Sequence, residues 1–580
     1  MSKSSQVDAP SPRHSSSEHT LGADAQSIRS AQNEKAPPPP APEPSTILTG
    51  SKLAIVFVCM LLSVFLVALD QTILATALPR IASDFNAFSL QGWVSSSFVL
   101  AQSVFLLFYG QVLRIFPAKW VLISAIAIFE LGSLVCGLSQ SVGQLIAGRT
   151  VSGLGAAGLF VAMIQIISQV TRLEDRPRLF GFFGAVFGVS SVVGPLMGGA
   201  LTDHVTWRWC FWINLPLGGV SILGVLFMLK ASPPLGSDPT KRSFRDIMEQ
   251  VRHLDFVGAT LVAAAVTTLV LALQWGGNTK PWGDKDVIIC FVFAAVLTVA
   301  LIAWEIYIDE TAMVPTSIFK SRSVYALLVF SFLTRFSQLI FSYYIPIFYQ
   351  AVRGHTATKS GIDLLPFMLG TVLTIISAGQ IVGKWGYYWP FLVGSPIFLA
   401  LGSGLLYTLN GDTSSAKLVG FQILAGVGIG MGMQNSLLAM QVEFRNTPKI
   451  LAQATSMVSF AQFLGGTLGL GVAEPIFASE LTKNLLKYAP NAPAAIVKES
   501  PTTIRSALPA DMIAGVVRSY TESLRIVFVV GVPIAGLGLI AASMIKNLRI
   551  TKEAPPAAAA AAPAAPATTG DADVEKGAVA

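Results

Sequence analysis

Leu145-Ile146-Ala147-Gly148-Arg149-Thr150-Val151-Ser152-Gly153-Leu154-Gly155-Ala156-Ala157-Gly158 is an apolar, glycine-rich run with one charge, Arg149, inside it. A guanidinium at the centre of a bilayer costs about 3 kcal/mol on insertion scales and more by simulation. Such a residue persists where it faces a partner or a water-filled cavity. If the surroundings are hydrocarbon, the run is a membrane helix bordering an aqueous route.

The rest of the chain supplies the hydrocarbon. Of 580 residues, 53% are hydrophobic and 12% charged, against about 25% charged in soluble domains. Mean hydropathy is +0.63. The net charge of +7 comes mostly from Lys and Arg between apolar segments, which fits a role in setting topology. No nucleic-acid partner is expected. The four cysteines fall in or beside apolar runs without metal-ligand spacing, so they read as small hydrophobes.

Segments of about 20 apolar residues span a bilayer. They fall at 53–78, 91–112, 120–138, 144–169, 180–202, 210–229, 255–274, 286–306, 324–349, 362–383, 390–409, 416–440, 453–476 and 524–546. No apolar core precedes Lys52, so the first span is expected to serve as an uncleaved signal. Arg114, Lys119, Arg172, Arg176, Arg178, Lys241, Arg242, Arg245, Lys320, Arg322, Arg445 and Lys449 lie in alternate loops. With both termini in the cytoplasm, that bias obeys the positive-inside rule. Gly110-Gln111-Val112 after the second span echoes Gly379-Gln380-Ile381 after the tenth. Each then belongs to the second helix of a six-helix block, and spans 7 and 8 become an insertion. Two related halves around a midplane cavity is a transporter layout.

The expected fold is therefore an all-α integral membrane protein, with two six-helix bundles plus two additional central helices. Its parts are a disordered cytoplasmic tail (1–50), an N-terminal bundle (51–229), and a loop with two extra helices (230–323). A C-terminal bundle (324–546) with an extracellular loop at 477–523 and a disordered cytoplasmic tail (547–580) follow.

Five strings resemble the major facilitator superfamily, and within it the fourteen-span drug:proton antiporters of fungal type. They are Leu69-Asp70-Gln71-Thr72 through Leu78-Pro79, Arg149 with Gly153, Gly194-Pro195-Leu196-Met197-Gly198-Gly199, Trp207-Arg208-Trp209 through Asn214-Leu215-Pro216, and Tyr343-Tyr344-Ile345-Pro346 through Ser360-Gly361. The resemblance covers about 51–546 and implies the major facilitator fold. It implies a proton-coupled efflux transporter of small amphipathic drugs, toxins or secondary metabolites. The loop after the second span departs from the family pattern. Gly110 and Lys119 remain, but Arg114, Pro117 and Ala118 replace the usual Asp, Gly and Arg. The family's carboxylate latch between the halves is thus missing its acid.

Asp70, Glu130 and Arg149, with Gly153, are candidates for proton coupling and gating. Asp70 and Arg149 share the outer half of the membrane, so they either pair structurally or couple to a proton. Glu130 sits mid-span, as a proton carrier or as a neutral group bonded to a neighbouring helix. Gly194, Pro195, Gly198 and Gly199 read as a kinked, closely packed hinge or as packing alone. Arg335 and Gln338 lie near the midplane of the ninth span. Arg335 either faces an anionic substrate or pairs with Asp363 or Glu130. Gln165, Tyr343, Gln434 and Asn435 are further cavity candidates, with Phe336, Phe341 and Tyr344 as aromatic lining or helix packing. Trp207, Trp209 and Trp212 are expected to anchor at the outer interface. Residues 510–524 have amphipathic spacing that fits the outer surface. The charged run Arg172–Arg178 reads as a solvated connector or an inner gate.

No nucleotide-binding loop, metal cluster or nucleophile motif is present, so no enzyme, cofactor or metal is expected. The expected partners are a small-molecule substrate, protons and the bilayer, for a monomer in the plasma membrane. A vacuolar membrane, carriage of amino acids or iron chelates, and a non-transporting sensor of the same fold are the alternatives.

Overall fold

The computed structural model describes residues 47–85, 91–235, 237, 243–277, 280–493, 497, 504 and 508–550. Among them, fourteen helical segments are long and apolar enough to cross a membrane. We label the corresponding helices α1 (Gly50–Asp84), α2 (Gln91–Ile115), α3 (Ala118–Gly137), α4 (Val142–Val170), α5 (Arg176–His204), α6 (Asn214–Met228) and α7 (Phe256–Trp275). Then come α8 (Lys285–Ile308), α9 (Arg322–Ile347), α10 (Leu365–Trp385), α11 (Trp389–Tyr407), α12 (Ser415–Glu443) and α13 (Leu451–Tyr488). The last, α14, runs as Ala510–Val529 and Gly531–Met544.

The internal repeat appears as packing. In the first block α1 packs on α5, and α4 on both α2 and α3. In the second, α9 packs on α13, and α12 on both α10 and α11. The blocks meet through two seams that exchange under the same correspondence, α5 with α10 and α2 with α13. Small residues bring the seams close. On α5, Gly181, Gly184 and Gly188 face Ile376, Ile375 and Val372 of α10, and Gly110 of α2 abuts Ser456 of α13. The extra helices α7 and α8 pair with each other, and α7 leans on α2 and α13. On α8, Val292, Phe293, Val296, Val299 and Ile302 are exposed, the surface expected of a helix that meets lipid.

Several helices outrun the apolar stretches that predict them. The expected loop at 477–523 is helical at both ends. Leu481 and Leu485 on the extension of α13 are buried with Val516, Tyr520 and Leu524 of α14. Asn484 Nδ2 donates to Ser523 Oγ at 3.0 Å. The amphipathic face of 510–524 therefore docks on α13, not on the membrane surface. α1 likewise continues to Asp84, whose carboxylate accepts from Trp207 Nε1 at 2.9 Å. Trp207 is 2% exposed, so it is a packed core residue and not an interfacial anchor; Trp209 remains exposed. The terminal tails, 1–46 and 551–580, lie outside the described residues. The described residues beside them are docked: Leu48 N donates to Val170 O at 2.9 Å, and Ile550 N to Gly386 O at 2.9 Å.

The basic loops gather at one end, the basic face, expected in the cytoplasm. A nine-residue helix, Phe244–Arg252, lies there ahead of α7; it was not anticipated from hydropathy.

Close helix approach predicts its own sensitivity. A Cβ on Gly155 of α4 would stand 2.7 Å from Ala125 O of α3, whereas one on Gly219 of α6 meets nothing within 4 Å. Gly155→Ala should destabilise the protein by about 1–3 kcal/mol, the usual cost of overpacking. Gly219→Ala should be neutral or slightly stabilising. Thermal melting of the purified variants in detergent checks this, and equal shifts would rule out the packing explanation.

Candidate functional site

Glycines set the position of Arg149. Gly153 lets α4 lie against the backbone of α2 at Phe98. One turn earlier, Arg149 then stacks its guanidinium 4.3 Å over the Phe98 ring and donates from Nε to Val94 O at 3.2 Å. Its Nη1 reaches Asp70 Oδ2 on α1 at 2.5 Å. The second Asp70 oxygen accepts from Asn214 Nδ2 at 3.1 Å, and the same amide nitrogen reaches Ser133 Oγ on α3 at 3.2 Å. Asp70, Arg149 and Asn214 are all buried. Five helices, α1, α2, α3, α4 and α6, thus converge on one ion pair. Breaking a buried pair by removing one partner typically costs about 3–5 kcal/mol.

Glu130 lies one turn before Ser133 on α3. Its carboxyl is buried against Gly218 of α6, where a Cβ would clash with it. Neither Glu130 oxygen has a hydrogen-bond partner among the described residues, and Asp70 is near enough for the two carboxyls to act on each other electrostatically. A buried polar group without a partner is costly, and a bare charge far more so. The alternative of a Glu130 bonded to a neighbouring helix is therefore not what the structure contains.

The antiporter string packs on α1. Thr72 Oγ1 donates to Ser190 O of α5 at 2.9 Å. Gly194 abuts Thr72, and Gly198 abuts Ile73 and Thr76; no atom lies within 4 Å of a Cβ built on Gly199. α5 passes through Pro195 as a single helix from Arg176 to His204.

The second block holds the other charge. Arg335 Nη1 donates to Gln338 Oε1 at 2.8 Å and approaches Met433 Sδ of α12 at 3.8 Å. Its guanidinium lies 5.7 Å from the Phe463 ring of α13. Among the described residues it forms no ion pair. Asp363 is taken instead by His355 Nδ1 at 2.5 Å, and Glu130 belongs to the opposite bundle. Gln338 and Tyr343 follow Arg335 at helical spacing on α9, and Tyr343 is 56% exposed. Gln462 Nε2 bonds Met433 O at 3.0 Å. Phe160 of α4 meets Phe463 edge-on at 5.9 Å, bridging the halves. Gln165 is buried on α4. Asn435 bonds its own helix at Met431 O, beside the half-buried Gln434.

Three contributors escaped the sequence reading. Asn214 and Ser133 complete the Asp70 cluster. Glu474, an exposed acid near the end of the thirteenth apolar run, lies near Tyr344. The rule that picks out Arg149, a charge inside an apolar run, applies equally to Glu474.

At the basic face the halves are tied together. Arg114 Nη1, at the position of the missing acid, donates to Gln453 Oε1 of α13 at 3.2 Å. Arg176 Nη1 donates to Gln441 Oε1 of α12 at 3.1 Å. Cation-to-amide bonds therefore join the halves at the face where the family's carboxylate latch lacks its acid.

Known proteins with this layout are plentiful. The human organic anion transporter MFSD10 superposes with a TM-score of 0.51 at 12% identity, covering 86% of this chain and all of that one. MFS-type transporter astH of Aspergillus oryzae is 39% identical, over 84% of this chain and 85% of its own. MFS-type efflux pump MFS1 of Trichophyton rubrum is 39% identical, over 85% and 91%. Residues 60–470 match the family model described as Major Facilitator Superfamily. With fourteen membrane-length helices in two matching blocks, this chain belongs to the major facilitator superfamily, as a multi-pass membrane transporter of small molecules.

Proposed function

We propose that the chain exports small amphipathic compounds across the plasma membrane in exchange for protons, by alternating access, as a monomer. The observation that carries this reading is the buried Asp70–Arg149 pair with the unpartnered Glu130 carboxyl beside it. A proton arriving at this cluster changes which charges are compensated, and the helices that share the charge respond. Protonating Glu130 removes a bare buried charge; releasing it requires water or a donor to reach the site. Outward direction is supported by the relatives at 39% identity that are efflux pumps by name. Arg335 and Gln338 of α9, with Phe463 beside Arg335 and Phe160 against Phe463, offer an apolar wall with a few polar anchors, which suits amphipathic ligands. Arg335 then receives acidic groups.

Arg149→Ala should abolish transport while leaving delivery to the membrane intact. The double variant Asp70→Asn/Arg149→Gln removes both charges without stranding either. Proteoliposomes under an imposed acidity gradient should find the double variant folded and inactive. Recovery of near wild-type transport would make the pair purely structural.

Glu130→Gln should retain substrate exchange between equal pH compartments and lose gradient-driven uphill export, read as counterflow against pH-jump accumulation in the same vesicles. Arg335→Gln should weaken export of acidic compounds by about tenfold, the worth of one modest charge-assisted hydrogen bond, and spare neutral ones. Equal losses on both would count against charge recognition.

A further inference from the structure

The extra helices carry an acid pair outside the central cluster. Asp255 caps the start of α7, and Glu305 lies in the last turn of α8; both are buried. Asp255 Oδ1 accepts from Gly258 N at 2.7 Å and Trp304 Nε1 at 2.8 Å. Glu305 Oε2 accepts from Val314 N at 3.0 Å. The remaining oxygens, Asp255 Oδ2 and Glu305 Oε1, have no donor among the described residues; the bond from Trp304, the residue before Glu305, to Asp255 joins the two helix ends, and the carboxyls are near enough to act on each other electrostatically. Two acceptors so placed repel when both are charged and attract when one proton lies between them.

The pair sits under the seal between the bundles. Asp255 N donates to Gln111 Oε1 of α2 at 3.0 Å, and Gln111 Nε2 donates to Thr311 O at 2.6 Å. One and two residues on, Gln453 Nε2 of α13 donates to Ala312 O and Met313 O, both at 3.0 Å. The turn 309–313 therefore bridges α2 and α13, the seam that must part for the basic face to open. Glu305 holds this turn through Val314. The turn begins at Asp309 with φ 37°, a left-handed conformation unusual for a non-glycine residue, which persists where surrounding contacts impose it. Other charged groups on the elements around the pair are Arg114 of α2, Arg245, Asp246, Glu249, Arg252 and His253 ahead of α7, Asp309 and Lys320 after α8, and Lys449 ahead of α13. Neither Asp255 nor Glu305 is in an ion pair among the described residues.

We propose that Asp255 and Glu305 form a second proton-binding site, and that the proton they share locks the turn 309–313 across the α2–α13 seam. Losing it leaves two adjacent carboxylates that push the end of α8 from the start of α7. The turn then releases, and opening of the basic face becomes sensitive to acidity on that side. The site is distinct from the Asp70–Glu130 cluster and stands whether or not export is proton-driven.

The test is hydrogen–deuterium exchange of residues 309–320 in the full-length protein in lipid nanodiscs, without substrate or gradient, corrected for intrinsic exchange. In the wild type, opening that releases one proton raises exchange by up to about tenfold per pH unit. Glu305→Gln supplies a permanent amide donor to Asp255 and should hold the segment protected at every pH. Glu305→Ala should leave it open at every pH; should that variant fail to fold, the wild type and Glu305→Gln decide alone. A pH-independent wild type, or a Glu305→Gln variant with the wild-type slope, would overturn the proposal.

Discussion

Taking a carboxylate and a guanidinium out of water together is the constraint on which the first bundle depends. Neither Asp70 nor Arg149 is tolerable alone at that depth. Each therefore dictates where the other's helix must lie. Asn214 adds α6 by donating to the second Asp70 oxygen, and Ser133 adds α3 by accepting from the same Asn214 nitrogen. The glycines of α4 are best understood from this requirement: a bulkier residue at 153 would move α4 off α2 and take Arg149 from the Val94 carbonyl and the Phe98 ring. Charge compensation and close packing are thus one problem, solved by the same few positions.

The second bundle reuses the helix arrangement without the ion pair. Arg335 has an amide, a thioether and a ring around it where Arg149 has a carboxylate. That asymmetry divides the labour. One bundle encloses a buried ion pair, and the other holds a cation that forms none among the described residues. Between them the basic-face seam is held by glutamines, Gln111, Gln441 and Gln453, which are neutral and can change partners without a charge being stranded.

Much of this was readable in the chain. Hydropathy counts the spans because hydrocarbon leaves the backbone little choice, and Arg149 announces the site because its cost is so high. What escaped was whatever depends on who lies opposite. Trp207 has the composition of an interfacial anchor, yet Asp84, on an extension of α1 that hydropathy truncates, pulls it into the core. The stretch 510–524 has the spacing of a surface helix, yet the continuation of α13 gives its apolar face a partner. Arg335 pairs with neither acid offered as its partner among the described residues: Asp363 meets His355, and Glu130 lies on α3 of the other bundle. The Asp255–Glu305 contact joins residues fifty positions apart at the ends of two helices, with no periodicity to reveal it.

The α5–α10 seam has a mechanical consequence. Gly181, Gly184 and Gly188 present a nearly smooth track to Val372, Ile375 and Ile376. Interlocked side chains would have to hop rotamers, one after another, before such helices could shift. Branched aliphatics riding on bare backbone can roll or slip with little change in torsion, which is the freedom that the proposed alternating access asks of this contact.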